Sequence, residues 1–423
     1  MNLLIRNAHI LDPKSGMNEI LDLAIKDGKI SEIGKALKSS GDVLDAKGQH
    51  LIPGLIDLHT HLREPGQEAK ETIYSGAMAA LRGGYVACVS MPNTNPPCDH
   101  PGVVEKIFQK AKEVPFHIFP SGTISKGREG KELAEIADLK KAGVVALTDD
   151  GSWVPDSLLM RRAMEYASMF DLIVMSHCED LRLSAGGVMN ESINSTKLGL
   201  PGISASSEDV AVSRDIELAR LTRAHLHICH LSTARSVELV RRAKAEKIPV
   251  TAEVTPHHLA LTDEDLEGYN TNYKMNPPLR TSEDVKALRK GLKDGVIDCI
   301  ATDHAPHTQE EKMQEFDCAP FGVIGLETAL AVVLTELYHG EKWKLEEIVK
   351  MFSVRPSEIL KLGSDFGKIE KGAQANLALL DLNHDWVVSF EHLASKSKNS
   401  CFLKKKLKGK VTATICAGKL WKF

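Results

Sequence analysis

Eight short apolar runs, at residues 54–58, 85–90, 116–119, 143–147, 171–175, 224–229, 248–254 and 297–301, alternate with amphipathic stretches of helical length. Those stretches lie at 69–82, 103–112, 131–142, 156–169, 208–221, 234–245 and 282–294. Strand-then-helix repetition favours a parallel sheet, and eight units are the number that closes a barrel. A doubly wound open sheet is the alternative, but no G-x-G-x-x-G follows the first run to support it. The expected fold class is therefore α/β, a (β/α)8 TIM-like barrel.

The chain ends read differently. Residues 3–11, 21–33 and 43–51 form β-segments, with turn signals at Asp27-Gly28 and Lys47-Gly48. Residues 375–382 and 409–420 repeat the style, with a turn signal at Ala417-Gly418. Neither piece is long enough to bury both faces of a sheet alone. The two ends are expected to meet in one small β-sandwich domain, 1–51 plus 366–423, with the barrel, 52–365, inserted between its halves.

Charge and cysteine usage narrow the function classes. With 53 Lys and Arg against 57 Asp and Glu, the formal net charge is −4, which gives no bulk-charge reason to expect nucleic-acid or anionic-membrane binding. The eight cysteines contain no C-x-x-C pair and read as buried thiols in a reducing compartment. The longest apolar stretches, such as 329–334, fall far short of the roughly 18 to 20 residues of a membrane span, and no cleavable leader is visible. A cytoplasmic metabolic protein acting on a small molecule is expected.

Seven of the eight runs are followed at once by residues able to do chemistry, and a barrel gathers such positions on one rim. His59 and His61 leave an extended strand on the same side and can grip one cation. Other strand ends offer Asp150, His177, His230 and Asp303. Four imidazoles and two carboxylates are more than one metal needs. They suit two ions, best Zn²⁺, sharing a carboxylate and a hydroxide that forms at neutral pH and hydrolyses an amide or ester. Asp303 is the candidate proton carrier.

The run Pro53-Gly54-Leu55-Ile56-Asp57-Leu58-His59-Thr60-His61-Leu62-Arg63-Glu64-Pro65-Gly66 resembles the opening motif of cyclic amidohydrolases. Met91-Pro92-Asn93-Thr94 and Ala301-Thr302-Asp303-His304-Ala305-Pro306-His307 resemble those of dihydroorotases, class I. The resemblance implies reversible cyclisation of N-carbamoyl-L-aspartate to (S)-dihydroorotate in pyrimidine (UMP) biosynthesis, with two Zn²⁺ per subunit. It implies that His59, His61 and Asp303 hold one zinc, that His177 and His230 hold the other, and that Asp150, directly before Gly151, bridges them. Substrate contacts are implied for His61, Arg63, Asn93, Asn276, His307 and the backbone at Phe321-Gly322. A homodimer, or an association with aspartate carbamoyltransferase, is the kind of assembly it suggests.

Two alternatives stay open at this point. Hydantoinases and allantoinases bridge their metals with a carboxylated lysine, and residues 143–150 contain none. A catalytically silent partner of aspartate carbamoyltransferase would have lost metal ligands, and all six are in place. His225, His227, His257 and His258 read as packing or as support for the ligands, and Cys178 and Cys229 as inert packing. The polar segment 310–322, which carries Phe321-Gly322, is either a lid over the site or an ordinary surface loop.

Overall fold

All eight apolar runs contain a strand in the computed structural model, which describes residues 1–38, 41–266 and 268–423. In chain order the strands are β1 (Leu3–Asp12), β2 (Met17–Lys26), β3 (Lys29–Gly34), β4 (Asp42–Asp45), β5 (His50–Pro53), β6 (Leu55–Thr60), β7 (Tyr85–Ser90), β8 (His117–Gly122) and β9 (Ala146–Leu147). Then follow β10 (Ile173–Ser176), β11 (Met189–Asn190), β12 (Gly202–Ile203), β13 (Leu226–Ile228), β14 (Val250–Val254), β15 (Cys299–Ile300), β16 (Leu377–Val387), β17 (Lys406–Cys416) and β18 (Lys419–Lys422).

Strands β6 to β10 and β13 to β15 pair in parallel in sequence order, while β11 and β12 form a separate two-stranded excursion. A parallel bridge between Thr60 and His304 joins the two edges of the eight-stranded sheet and makes a barrel of it. The strands alternate with period two between two apolar environments. On β10, Ile173 and Met175 join Leu58, Val89, Cys229 and Cys299 inside the barrel. Val174 between them packs outward with Leu147, Leu226 and Val254 under the helices. Asp57 ties the first strand to the last: its buried carboxylate accepts the His59 and Thr302 amides, both at 3.1 Å, and the Thr302 hydroxyl at 2.6 Å.

Side-chain caps start the returning helices. Thr72 caps Ile73–Arg82, Asp156 caps Ser157–Met169, Thr233 caps Ala234–Ala245 and Thr281 caps Ser282–Lys293. Helix Ile136–Ala142 begins five residues later than its pattern predicts, because Leu133 bridges back to Ser125 instead. The eighth helical layer, Ala329–Val333 running on into a π-helical stretch Leu334–Gly340, was not among the predicted helices. Its all-apolar start lacks the amphipathic period that marks the others.

The terminal strands join in one sheet, ordered β18-β17-β16-β5-β1-β2-β3, with β4 beside β1. The two chain ends meet where β16 runs antiparallel to β5, Leu379 opposite Leu51. Ile5, Ile10, Leu23, Leu51, Leu377 and Ile415 form its separate core. No helix among the described residues is long and apolar enough to cross a membrane.

Candidate active site

The strand ends deliver their polar residues to one rim. His59 lies within β6, His61 just beyond it, and His177, His230, Asp150 and Asp303 follow β10, β13, β9 and β15. Three rim residues hold left-handed backbone conformations, Arg63 at φ 63°, His230 at φ 33° and Asp303 at φ 47°. Non-glycine residues rarely take this region, and such strain concentrates at functional sites.

Asp150 is the centre of the cluster. Its Oδ1 lies 3.2 Å from His59 Nε2 and 3.7 Å from both His177 Nδ1 and His230 Nε2, and its Oδ2 lies 3.3 Å from His61 Nε2. Asp303 Oδ1 stands 3.1 Å from His61 Nε2 and 3.6 Å from His59 Nε2. The neighbouring Asp149 points elsewhere, accepting from the Ile124 and Ser125 amides. Two groups of metal-ligating atoms therefore share one carboxylate: His59, His61 and Asp150, and Asp150, His177 and His230.

Hydrogen bonds on the far side of the rings decide what the near side offers. His59 Nδ1 meets Glu253 Oε1 at 2.7 Å, His61 Nδ1 meets Asn93 Oδ1 at 2.8 Å, and His177 Nε2 meets Glu179 Oε2 at 2.9 Å. Each acceptor takes a ring N–H, so the opposite nitrogen turns a lone pair inward. The inward nitrogen of His177 meets His230 Nε2 at 2.9 Å and that of His61 meets Asp303, whereas His59 Nε2 faces Asp150 Oδ1 and both of these atoms are buried without a hydrogen-bond partner among the described residues. Acceptors facing acceptors in a buried space call for positive charge between them, which a proton or a metal ion supplies. The donor set therefore fits a metal site.

The electrostatics agree. Burial opposes a charge on His59, yet Asp150 and Glu253 outweigh it and hold the ring well above its ordinary value. Burial would raise Asp150 and Asp303, but the surrounding histidines hold both carboxyls well below the usual range. Arg63 is 7 % exposed, and burial lowers it only to about 10, so its guanidinium stays charged at neutral pH.

A cavity of about 210 Å³ opens onto this cluster, lined by His61, Arg63, Asn93, Asp150, His177, His230, Asn276, Asp303, His307, Phe321 and Gly322 among others. Of the twelve residues named from the sequence, only His59 is absent from the lining; it lies fully buried at 0 % exposure. Arg63 Nε donates to the Pro306 carbonyl at 3.1 Å, and Asn276 donates to Glu179 at 2.8 Å. Gly322, at φ 131°, sits where an added Cβ would lie 2.9 Å from the Ala305 Cβ, and its N–H is taken by the Lys274 carbonyl. In the segment before it Lys312, Phe316 and Ala319 are buried, whereas Glu310, Met313, Gln314, Glu315, Asp317 and Cys318 are exposed.

Several supporting groups were missed from the sequence: Glu253, Glu179, Asp57, and Arg128, whose guanidinium donates to the Asp150 carbonyl at 2.6 Å. A signal existed for two of them, since Glu253 and Asp57 are the lone charges in otherwise uncharged strand runs. His227, read as support, meets Glu253 Oε2 at 3.1 Å, and His258 is held by Thr255 and the Pro277 carbonyl.

The molecule is thus a parallel α/β barrel with a terminal β-domain and, at its strand ends, a histidine–aspartate cluster suited to metal. Solved structures agree on the fold. The chain superimposes on L-hydantoinase (dihydropyrimidinase) from Arthrobacter aurescens with a TM-score of 0.88 at 23% identity, covering 99% of this chain and 95% of that one. A D-hydantoinase from Thermus sp. gives 0.84 at 24%, covering 99% and 94%. A dihydro-orotase-like family profile matches residues 48–236. The dihydroorotase of Acetivibrio thermocellus is 48% identical over 418 residues, 98% of each chain, and that of Pelotomaculum thermopropionicum is 50% identical over 422 residues, 99% of this chain and 98% of the relative. The chain belongs to the dihydroorotase family.

Proposed function

We propose that this chain is an active dihydroorotase that interconverts N-carbamoyl-L-aspartate and (S)-dihydroorotate, and that its resident metal is a pair of zinc ions. The barrel, 52–365, carries the chemistry, and the terminal domain, 1–51 plus 366–423, stands beside it. The observation that carries this reading is the single cavity in which inward-facing histidine lone pairs and two carboxylates adjoin the buried guanidinium of Arg63. The first group of atoms suits metal, and the second suits the carboxylate that both substrates bear. No lysine is among the residues lining the cavity, which favours an aspartate bridge over the hydantoinase type.

His59, His61 and Asp303 would hold one zinc, His177 and His230 the other, and Asp150 would be shared. Metal held there would supply polarisation of the ring carbonyl and activation of water. The chain's own groups do the rest. Arg63, its Nε held by Pro306 and Nη2 3.4 Å from His307 Nε2, turns its guanidinium to the cavity for the substrate carboxylate, and Asn93 and Asn276 stand at the same cavity for the remaining polar atoms. Asp303, held ionised, accepts a proton in the hydrolytic direction and returns it to the departing ring nitrogen; the biosynthetic direction runs the same transfers backwards. His307 is neutral, pushed down to about 3 by burial and by the charge of Arg63, and its ring stands at the cavity between Arg63 and Glu311.

The experiment is turnover of zinc-loaded protein, followed by loss of dihydroorotate absorbance with hydantoin and allantoin as controls. Dihydroorotate is expected to be the preferred substrate. Zinc bound without dihydroorotate turnover would instead identify a silent partner of aspartate carbamoyltransferase.

A further inference from the structure

The wall of the cavity that faces the substrate is assembled from two loops, 305–307 after β15 and 321–322 further on, which touch at one end through the His304–Val323 bridge and the Ala305 N–H to the Val323 carbonyl at 2.8 Å and have no regular element beyond it. Both are gripped by one side chain from elsewhere in the sequence. Asn399 lies in the connection between β16 and β17, is 4 % exposed, and has every polar group of its amide engaged. Its Nδ2 donates to the Ala305 carbonyl and to the Gly322 carbonyl, both at 3.1 Å, and its Oδ1 accepts the His307 N–H at 3.2 Å. Its backbone carbonyl accepts the Ile324 N–H at 3.1 Å. A flipped amide would set donor against donor and acceptor against acceptors, so one orientation satisfies the site.

These bonds flank Pro306 on both sides, and the Pro306 carbonyl is the acceptor for Arg63 Nε. The guanidinium therefore takes its position from a backbone segment that Asn399 fixes. The Gly322 carbonyl has a second buried donor, Lys312 Nζ at 3.1 Å, which also donates to the Pro320 and Lys274 carbonyls at 3.0 and 3.3 Å. The connection carrying Asn399 is itself anchored, with Val388, Leu393, Cys401 and Phe402 packed against Val323 and Ile324.

We propose that Asn399, seconded by Lys312, is a positioning residue for substrate binding: it locks the two loops so that Arg63, His307 and Phe321 present one preformed face to the substrate. This rests on the reading of those three residues as the substrate wall. Asn399 touches neither the metal-ligating cluster nor the reacting atoms, so its loss is read in substrate affinity rather than in the chemical step.

The test is steady-state dihydroorotate hydrolysis by zinc-loaded Asn399→Ser, Asn399→Asp and Lys312→Met beside Arg63→Met, with zinc content and thermal unfolding measured for each. Displacing a binding group by a fraction of an ångström is expected to raise KM about tenfold in the Asn399 variants, with kcat within about threefold of wild type and zinc content unchanged. Lys312→Met is expected to raise KM in the same selective way. If Arg63→Met raises KM but folded Asn399→Ser leaves it at the wild-type value, the positioning role is refuted and the substrate wall stands. Where neither Asn399 variant folds, an unmoved KM in Lys312→Met refutes it. A lowered unfolding temperature with KM unmoved well below the transition also refutes it, since that is what a merely structural residue gives. If Arg63→Met leaves KM unchanged, the wall reading fails and the proposal falls with it.

Discussion

Replacing Glu253 by glutamine is expected to weaken zinc binding without abolishing catalysis. Glu253 is fully buried, and its carboxylate meets His59 Nδ1 at 2.7 Å, His227 Nε2 at 3.1 Å and the His230 N–H at 3.3 Å. Burial alone would raise this carboxyl, but His59 and His227 pull it down to about 2, so it is ionised at any working pH. Glutamine keeps the volume and can turn its carbonyl oxygen to His59, which preserves the tautomer that faces a lone pair inward. What it removes is the charge that makes the His59 ring more basic toward a metal. Changes of this kind to the partners of metal ligands weaken binding by about 10- to 100-fold, or about 1.4 to 2.7 kcal/mol. The assay is zinc transfer to a competing chelator, read against wild type, followed by kcat at saturating zinc. One zinc is expected to leave more readily, and saturating zinc is expected to bring kcat back to within a few-fold. Zinc affinity unchanged in a folded Glu253→Gln protein would refute the reasoning that outer-nitrogen partners tune this centre.

Asp303→Asn is expected to lower kcat by about 10²- to 10⁴-fold, the range of a lost general acid–base, while substantial zinc remains bound through the four histidines and Asp150. Near-normal turnover would remove Asp303 from the proton-transfer role. Lys312 gives a stability prediction with a definite sign. Burial, aided by the charge of Lys274, lowers its ammonium from 10.5 to about 7. Between about pH 7 and 10.5 the unfolded chain holds a proton on this group that the folded chain releases, so raising the pH favours folding. The stability of wild type relative to Lys312→Met is expected to rise across that window, by up to about 1.4 kcal/mol per pH unit. A pH-independent difference in chemical denaturation would refute it.

The barrel was legible because its strands are buried on both faces, so that predominantly apolar runs mark them whatever the helices between do. The rim residues were legible for a related reason: a residue one to three positions beyond a buried parallel strand lies at the rim, although its side chain can still turn away, as that of Asp149 does. His177 after β10 and Asp303 after β15 needed no knowledge of their partners to be placed together. Glu179 and Glu253 were not legible in that way, because their roles exist only in the pairing. Glu253 is 194 residues from His59, and nothing about a glutamate in a strand announces which ring nitrogen it meets. Asn399 is further removed, since the connection from β16 to β17 has no periodicity that would turn it toward loops 92 and 77 residues upstream.

The same division separates what the site contains from how it is set. Strand periodicity says where a histidine leaves the barrel, but an imidazole offers a metal either nitrogen, and the choice belongs to the group bonded behind it. Glu253, Asn93 and Glu179 make that choice for His59, His61 and His177. Likewise an arginine two residues after a metal-ligating histidine can face the substrate or the solvent. Arg63 faces inward because its backbone is held at φ 63° and its Nε is claimed by Pro306, and Pro306 in turn is held between the two residues that Asn399 binds. The proposed ligands are thus a property of the strand ends, whereas their tautomers and the proposed substrate seat are properties of contacts between distant segments. Substitutions in those segments should therefore change affinity for metal or substrate before they change the chemistry.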